Sequence, residues 1–428
     1  LWDYRPYLFL LGRILAVNLA IDEMEQLFYN FGMDRLGKLK EASEFMHLEP
    51  AEEVPPIPPR LAPCGQVVTS REEALKNPAP IVHNAVMPGG KTIPLLKTML
   101  TTACERNCYY CPFRAGRNFR RINFKPEEMA ETFMTLYRAG VVEGIFLSSG
   151  IIGGGVKTQD KLIDTADILR HKHQFRGYLH LKIMPGAEKD QVFRSMQLAS
   201  RLSVNLEAPN DRRLADLAPK KVFFEELLRP LQWVEEIRQT QPPQLDWPRA
   251  SNTWPSTTTQ FVVGAVGESD LELLSTSEYL YKQLKLARTY FMAFNPVLDT
   301  PLENTPAENP LRQNRLYQAS FLFRDYGFNL EDMPFTEAGN LPLDTDPKLA
   351  WAQVALRDAP VELNRAEREE LLRIPGIGPK GAMAILAARR RGKLREVKDL
   401  QAIGVATKRL KPFILLDGQR PTYQLPLF

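Results

Sequence analysis

Between residues 78 and 330, a short run of β-branched and apolar residues recurs six times, most often followed by a helix-patterned stretch. The strand-like runs are IPLLKTMLTTA (93–103), VEGIFLSSG (142–150), YLHLKIM (178–184), RLSVNLEA (201–208), TTQFVVGAV (258–266) and TYFMAFNPV (289–297). Between them lie KPEEMAETFMTLYRAG, TQDKLIDTADILRHKH, KDQVFRSMQLAS, FFEELLRPLQWVEEIRQ and SDLELLSTSEYLYKQL. Pro126 suits a first helical turn, and Ser269 with Glu272 has the spacing of a capping box. Strands in series, each returned by a helix, form a parallel sheet covered by helices. The expected fold class is therefore α/β, a partial (β/α)6 barrel with its chemistry on loops at the C-terminal ends of the strands.

The flanking segments divide the remainder. Residues 1–50 carry helical patterns such as DEMEQLFYNFGMDRLGKLKEASEFM, and 51–77 form a proline-rich linker that is stiff and extended. A soft break at TQPPQLDWPRASNTWP (240–255) predicts a surface insertion in the barrel. Residues 331–360 act as a connector to a small all-α unit at 361–417, followed by a tail at 418–428. The early apolar run YLFLLGRILAVNLA is too short to span a bilayer and contains Arg13. No convincing signal peptide surrounds it, and Met24 and Met33 are alternative starts. A cytoplasmic protein without membrane partners is expected.

Three of the four cysteines fall on the loop after the first strand, as Cys104, Cys108 and Cys111 in the spacing C-x3-C-x2-C. Clustering of this kind suits a metal site in a reducing compartment better than a disulfide framework. A structural zinc or a closed iron-sulfur cluster takes four ligands, so three thiolates leave one coordination position open. Zinc completed by Cys64, or plain thiols, are the alternatives. The net charge of +4 is uneven: from Arg373 to Arg420 there are twelve Lys or Arg against Glu396, Asp399 and Asp417. A basic C-terminal unit on an acidic body points to a polyanionic partner.

The cysteine spacing, with Tyr110 before the third thiol, resembles the radical SAM superfamily. The resemblance implies a [4Fe-4S] cluster held by Cys104, Cys108 and Cys111, whose remaining iron chelates S-adenosylmethionine. It also implies a flavodoxin or ferredoxin-type electron donor, and cleavage to a 5′-deoxyadenosyl radical that abstracts a substrate hydrogen. SSGIIGGG (148–155) resembles the segment that receives the methionyl amine, through Ser148, Ser149 and Gly150. The family's glutamate is absent there, so that contact falls to backbone carbonyls. Ser203, Asn205 and Glu207 alternate to one face and match the positions that meet the ribose and carboxylate. VVGAVGES (262–269) is similar to the segment beside the adenine, through Val263 and Gly264. Lys182 is either a cofactor contact or a solvated or salt-bridged residue.

LLRIPGIGPKGAMAILAARRRGK (371–393) resembles a helix-hairpin-helix. Asn364 and Glu367 are candidate caps for its first helix, and Pro379 starts its second. Gly376 and Gly378 let backbone N–H groups approach a DNA phosphate, with Lys380, Arg389, Arg390 and Arg391 adding charge. LQAIGVATKRLKPF (400–413) looks like a degenerate second copy. Arg114, Arg117, Arg120 and Arg121, beside the cysteine loop, are either a solvated face or a grip on substrate phosphates.

Together with FRGYLHLKIMPGA, RLYQASFLFRDYGF and DPKLAW, these motifs resemble DNA modification or repair radical SAM proteins with a C-terminal helix-hairpin-helix. That family implies a uracil-DNA-glycosylase-like protein as partner. The tail PTYQLPLF resembles a sliding-clamp peptide through Gln424, Leu425, Leu427 and Phe428. Two other functions compete: RNA or tRNA modification, and DNA binding with a purely structural cluster.

Overall fold

The computed structural model describes residues 34–43, 46, 82–86, 92–248 and 252–423. Helix α1 (Asp34–Ser43) precedes two strands, β1 (Val82–Val86) and β2 (Thr92–Met99). Then follow α2 (Pro126–Arg138), β3 (Gly144–Ser148), α3 (Gly155–Asp167), β4 (Tyr178–Lys182), α4 (Lys189–Leu198) and β5 (Arg201–Ser203). The unit continues with α5 (Asp211–Leu217), α6 (Arg229–Thr240), β6 (Ser256–Val263), α7 (Asp270–Lys282), β7 (Arg288–Ala293) and α8 (Pro310–Asp325). All seven strands form one sheet in the order β1-β2-β3-β4-β5-β6-β7.

The six parallel strands are those expected from the alternation, and they pair in chain order from β2 to β7. The seventh, β1, was not expected. It pairs antiparallel to β2, with Val82 opposite Leu96 and Val86 opposite Thr92. Five residues of mixed polarity carry no helix after them, so no βα period marks them.

Strand alternation sorts the core. Leu96, Ile145, Leu147, Leu179, Leu181 and Leu202 face the helices in one large cluster. Leu95, Met99 and Phe146 face the other way and form a smaller cluster with Phe113. Full burial of each such side chain contributes about 1.5–3 kcal/mol relative to exposure. Local signals agree with this packing. Pro126 opens α2, and Ser269 and Glu272 close a reciprocal capping box on α7. α1 lies over α2 through Lys38–Glu128 (2.9 Å) and Arg35–Glu131 (3.1 Å).

A second hydrophobic core belongs to the C-terminal helices. These are α9 (Pro347–Ala355), α10 (Arg368–Arg373), α11 (Pro379–Arg389) and α12 (Val397–Ala402), with a small parallel pair β8 (Val361–Glu362) and β9 (Ile414–Leu415). Tyr326 and Trp351 pack against both cores. Arg373 ties the two together: it pairs with Asp332 (2.7 Å) and lies over the rings of Phe328 and Trp351. Among the described residues no helix is long and apolar enough to cross a membrane. The apolar run at 7–20, the linker with Cys64 and the clamp-like residues Gln424, Leu425, Leu427 and Phe428 lie outside the described residues.

Candidate active site

The cysteine loop leaves the C-terminal end of β2 and is closed at its neck. Thr102 N–H donates to Ile122 O (2.9 Å), Phe124 N–H to Leu100 O (2.8 Å), and Ile122 N–H to Thr102 Oγ1 (2.8 Å). Inside the loop, the Arg121 guanidinium donates to the carbonyls of Thr102, Phe113, Arg114 and Arg117, and stacks on Phe119. Arg117 donates to Pro112 O and Leu298 O. These two arginines are scaffold, because five rigid donors satisfy loop carbonyls that water would otherwise have to reach. Arg120 pairs with Glu41 (3.1 Å), and Arg114 lies over the Tyr109 ring.

Hydrogen bonds and an ion pair hold the loop to the segment after β3 and to the helical region after β5. Glu105 N–H donates to Ile151 O (2.8 Å), and the Glu105 carboxylate accepts from Gly153 and Gly154 N–H. Gly150 N–H donates to Thr101 O (2.7 Å). On the far side, Tyr109 N–H donates to Leu217 O (2.8 Å) and Arg106 pairs with Glu226 (2.5 Å).

Cys104, Cys108 and Cys111 are free thiols; Cys108 is buried and the other two half-buried. Burial pushes the Cys108 thiol pKa up, with Lys221 opposing and Glu207 adding to the rise. Burial likewise pushes Cys111 up, with Cys108 adding to it. Thiols so placed ionise when a cation binds them. The Cys104 sulfur already accepts the Ile151 N–H at 3.5 Å. Among the described residues no three His, Cys, Asp or Glu side chains are arranged to hold a single metal ion. A [4Fe-4S] cluster asks for something different, since each cysteine binds its own iron.

The other residues singled out from the sequence stand at the same rim. Register aligns Met99 with Ser148, and Lys182 with Ser203. Cross-strand partners share a face, so these side chains project together. Strand β5 ends at Ser203, yet the alternation runs on: Val204 and Leu206 join the core while Asn205 donates to Gln260 Oε1 (3.3 Å). Ser148 Oγ and Ser203 Oγ are buried with no hydrogen-bond partner. Orphaned polar atoms cost roughly 1–3 kcal/mol each, so two at one rim fit a polar ligand with donors and acceptors of its own. Ser149 Oγ donates to Gly150 O (2.8 Å).

Glu207 has a partner that the sequence did not disclose. Lys221 Nζ lies 2.9 Å from Glu207 Oε1, with the side chains 9% and 3% exposed. Burial alone would raise the Glu207 pKa; Lys221 and Lys182 outweigh it, and the carboxyl sits below its ordinary value. Burial raises Tyr110 well above the usual phenol range, and Glu207 beside it adds to this. Glu207 itself is held at φ 65°, a left-handed conformation uncommon for a residue with a side chain. Lys182 is thus a buried contributor to this charge cluster and not a solvated residue. One layer below, Lys97, Phe146, His180 and Arg201 stand in register across four strands, and Lys97 is fully buried.

At the end of β6, Gly264 takes φ 88°, and the Glu268 carboxylate accepts its N–H. Arg312 serves three carboxylates here, Glu268, Asp270 (2.8 Å) and Glu308 (2.6 Å). A side chain at 264 would collide with Glu308. Val263 is buried beneath this turn.

In the C-terminal unit the hairpin forms as expected, with Gly376 at φ 92°, Gly378 as N-cap and Pro379 opening α11. The first helix is capped by one of its two candidates only. Glu367 is the N-cap and pairs reciprocally with Glu370, whereas Asn364 bonds Glu362 and the Leu394 backbone. Asn364 lies too far before the helix to reach its free N–H groups. Lys380 is exposed at the hairpin, while Arg390 and Arg391 are exposed at the opposite end of α11. Arg389 is not available to a ligand in the same way, since it donates to Leu363 O and Ala366 O. The second copy is partial: α12 and Gly404 (φ 77°) form the turn, but the following helix is reduced to a 3₁₀ turn, Lys411–Phe413.

A parallel half-barrel with a three-thiol loop at its C-terminal rim, joined to a glycine hairpin unit, defines the class. Residues 98–240 match the family model described as Radical SAM superfamily, and residues 357–410 match the one described as Helix-hairpin-helix motif. The barrel thus carries a radical SAM domain and the C-terminal unit a helix-hairpin-helix motif. Enzymes of this superfamily use a [4Fe-4S] cluster and S-adenosylmethionine. Among solved structures it is similar to the FeFe-hydrogenase maturase HydG from Carboxydothermus hydrogenoformans, at 16% identity and TM-score 0.42, over 54% of this chain and 51% of that one. It is also similar to methylornithine synthase (PylB), at 13% identity and TM-score 0.42, over 54% of this chain and 61% of that one. A third is the radical S-adenosylmethionine methyltransferase TsrM from Kitasatospora setae, at 13% identity and TM-score 0.36, over 49% and 38%. In each case the match spans less than two thirds of the other protein's length. No curated protein matches the sequence.

Proposed function

We propose that this protein binds DNA through the unit at 361–417 and modifies or repairs it by hydrogen abstraction in the barrel. The observation that carries this is the Gly376–Lys380 hairpin, exposed at Gly376 and Lys380, in the same chain as a radical SAM domain. Backbone N–H groups at the start of α11 meet a phosphate without reading sequence, so binding is salt-sensitive and weakly specific. Lys380, Arg390 and Arg391 add phosphate contacts; Arg389 acts by holding α11 in place.

Cys104, Cys108 and Cys111 would hold the cluster. Tyr110, Ser148, Ser149, Gly150, Lys182, Ser203, Asn205, Glu207, Val263 and Gly264 would line the S-adenosylmethionine beside it. When bound, the cluster and S-adenosylmethionine supply hydrogen-abstracting radical chemistry. The chain's own contribution is to orient and exclude: the Arg121-braced loop fixes the thiols, and the Lys221–Glu207 pair keeps a charged carboxylate at a dry rim. A flavodoxin or ferredoxin-type protein is the proposed electron source. The family resemblance supports a uracil-DNA-glycosylase-like partner, and residues 424–428 a sliding clamp.

The test is anaerobic incubation of the reconstituted protein with reductant and S-adenosylmethionine, alone, with damaged or modified duplex DNA, or with RNA. DNA-stimulated release of 5′-deoxyadenosine supports the proposal. Stimulation by RNA alone would move the substrate to RNA, and no cleavage under any condition would leave only the structural-cluster function.

A further inference from the structure

A cleft of about 460 Å³ opens where the hairpin meets α8, walled by Phe321, Asp325, Tyr326, Lys348, Pro379 and Arg409. It is remote in sequence from the cysteine loop and shares no residue with the rim described above. Pro379 is the first residue of α11, so the cleft opens beside the turn that faces a DNA phosphate.

Lys348 is the group of interest there. Its Nζ lies 2.6 Å from Ile377 O, the carbonyl between the two hairpin glycines, and 4.6 Å from the centre of the Tyr326 ring. Its charged neighbours are largely engaged with one another. Asp346 pairs with Arg409 and accepts the Leu349 N–H at the start of α9 (3.1 Å). Burial lowers the Lys348 pKa to about 7; Asp346 opposes this and Arg409 adds to it. Near neutrality roughly half of such amines carry no proton. An uncharged amine that donates one N–H to a fixed carbonyl keeps its lone pair for an electrophile in the cleft.

We propose that this cleft is a second reactive site, in which Lys348 Nζ condenses with the C1′ aldehyde of a base-less deoxyribose in DNA held by the hairpin. The inference rests on DNA binding by the hairpin. Nζ adds to the aldehyde carbon, forming a C–N bond while the carbonyl oxygen takes the proton that nitrogen loses. The resulting carbinolamine expels that oxygen as water and leaves an imine. No electrons are exchanged with any other reagent. The cleft has room for a sugar, and the hairpin supplies the phosphate contact that brings it there.

The test uses the full-length protein, a duplex with one abasic site and sodium cyanoborohydride, which reduces an imine to a stable amine. The adduct is resolved on a denaturing gel and located by mass spectrometry, while affinity for a duplex with a non-aldehydic abasic analogue is measured separately. The expected result is a single adduct at Lys348, whose rate of formation rises with pH and levels off above about pH 7–8 as the amine loses its proton. Lys348→Arg keeps a donor for Ile377 O; it should lower the yield about 100-fold with affinity unchanged. An adduct spread over exposed lysines, or one that survives Lys348→Arg, overturns the inference. Binding without any adduct overturns it alone, whereas no binding to any duplex overturns it together with the assignment of DNA as substrate.

Discussion

Gly150→Ala tests whether the β3 end and the cysteine loop are built against one another. A Cβ at this position would lie 2.2 Å from Ala103 O and 3.1 Å from Thr101 O. Backbone, unlike a side-chain tip, cannot swing aside. Either β3 or the loop must therefore retreat by the better part of an ångström, and Ala103 immediately precedes Cys104. The Gly150 N–H···O Thr101 bond (2.7 Å) stretches in the same movement. Overpacking costs about 1–3 kcal/mol and the weakened buried hydrogen bond about 1 kcal/mol more. The expected loss is therefore about 2–4 kcal/mol, with a lowered iron content per chain after reconstitution. Denaturant unfolding and iron analysis measure the two effects. Gly392→Ala is the control, because nothing lies within 4 Å of a Cβ there. Should Gly150→Ala unfold like the parent and take up a full complement of iron, the packing argument is wrong.

Three further outcomes are expected. Cys104→Ala, Cys108→Ala and Cys111→Ala each lose the cluster while Cys64→Ala retains it; iron and sulfide analysis decides this, and loss of iron in the Cys64 variant would contradict an open three-thiolate site. Lys221→Met strands Glu207 as an unpaired buried charge and destabilises the fold by about 3–5 kcal/mol, and adding Glu207→Gln recovers much of the loss. A cost below about 1 kcal/mol in denaturant unfolding would show that the pair is more hydrated than its burial indicates. Lys380→Glu weakens duplex binding uniformly across sequences and lowers the salt slope by about 1, as fluorescence anisotropy over a salt series would report; a sequence-selective loss would contradict phosphate recognition.

The scaffold was legible because its signal is periodic. Six βα units, the Pro126 and Ser269 helix starts and the Gly376–Pro379 hairpin all rest on local chemistry that recurs at fixed spacing. β1 was missed for the opposite reason: a short edge strand without a following helix has no period to detect. Among the candidate site residues, the thiols stood out by their spacing and the strand-end serines by their place along the alternation. Lys221 did not, because it sits in an unpatterned loop and is brought to Glu207 only by the turn after α5. The Arg312 network has the same origin, with one cation from α8 meeting carboxylates from two other segments. Arg117, Arg121 and Arg389 show the converse error. Composition counts them as charge for a ligand, whereas folding uses them as donors to carbonyls.

The most direct test of the central claim is the isotopic content of 5′-deoxyadenosine released when the reconstituted enzyme turns over deuterated DNA in ordinary water. Hydrogen abstraction from DNA predicts product one mass unit heavier than that formed with unlabelled DNA, in proportion to the DNA modified. Product carrying only ordinary hydrogen, at undiminished yield, would mean that DNA is not the hydrogen donor and would contradict the account.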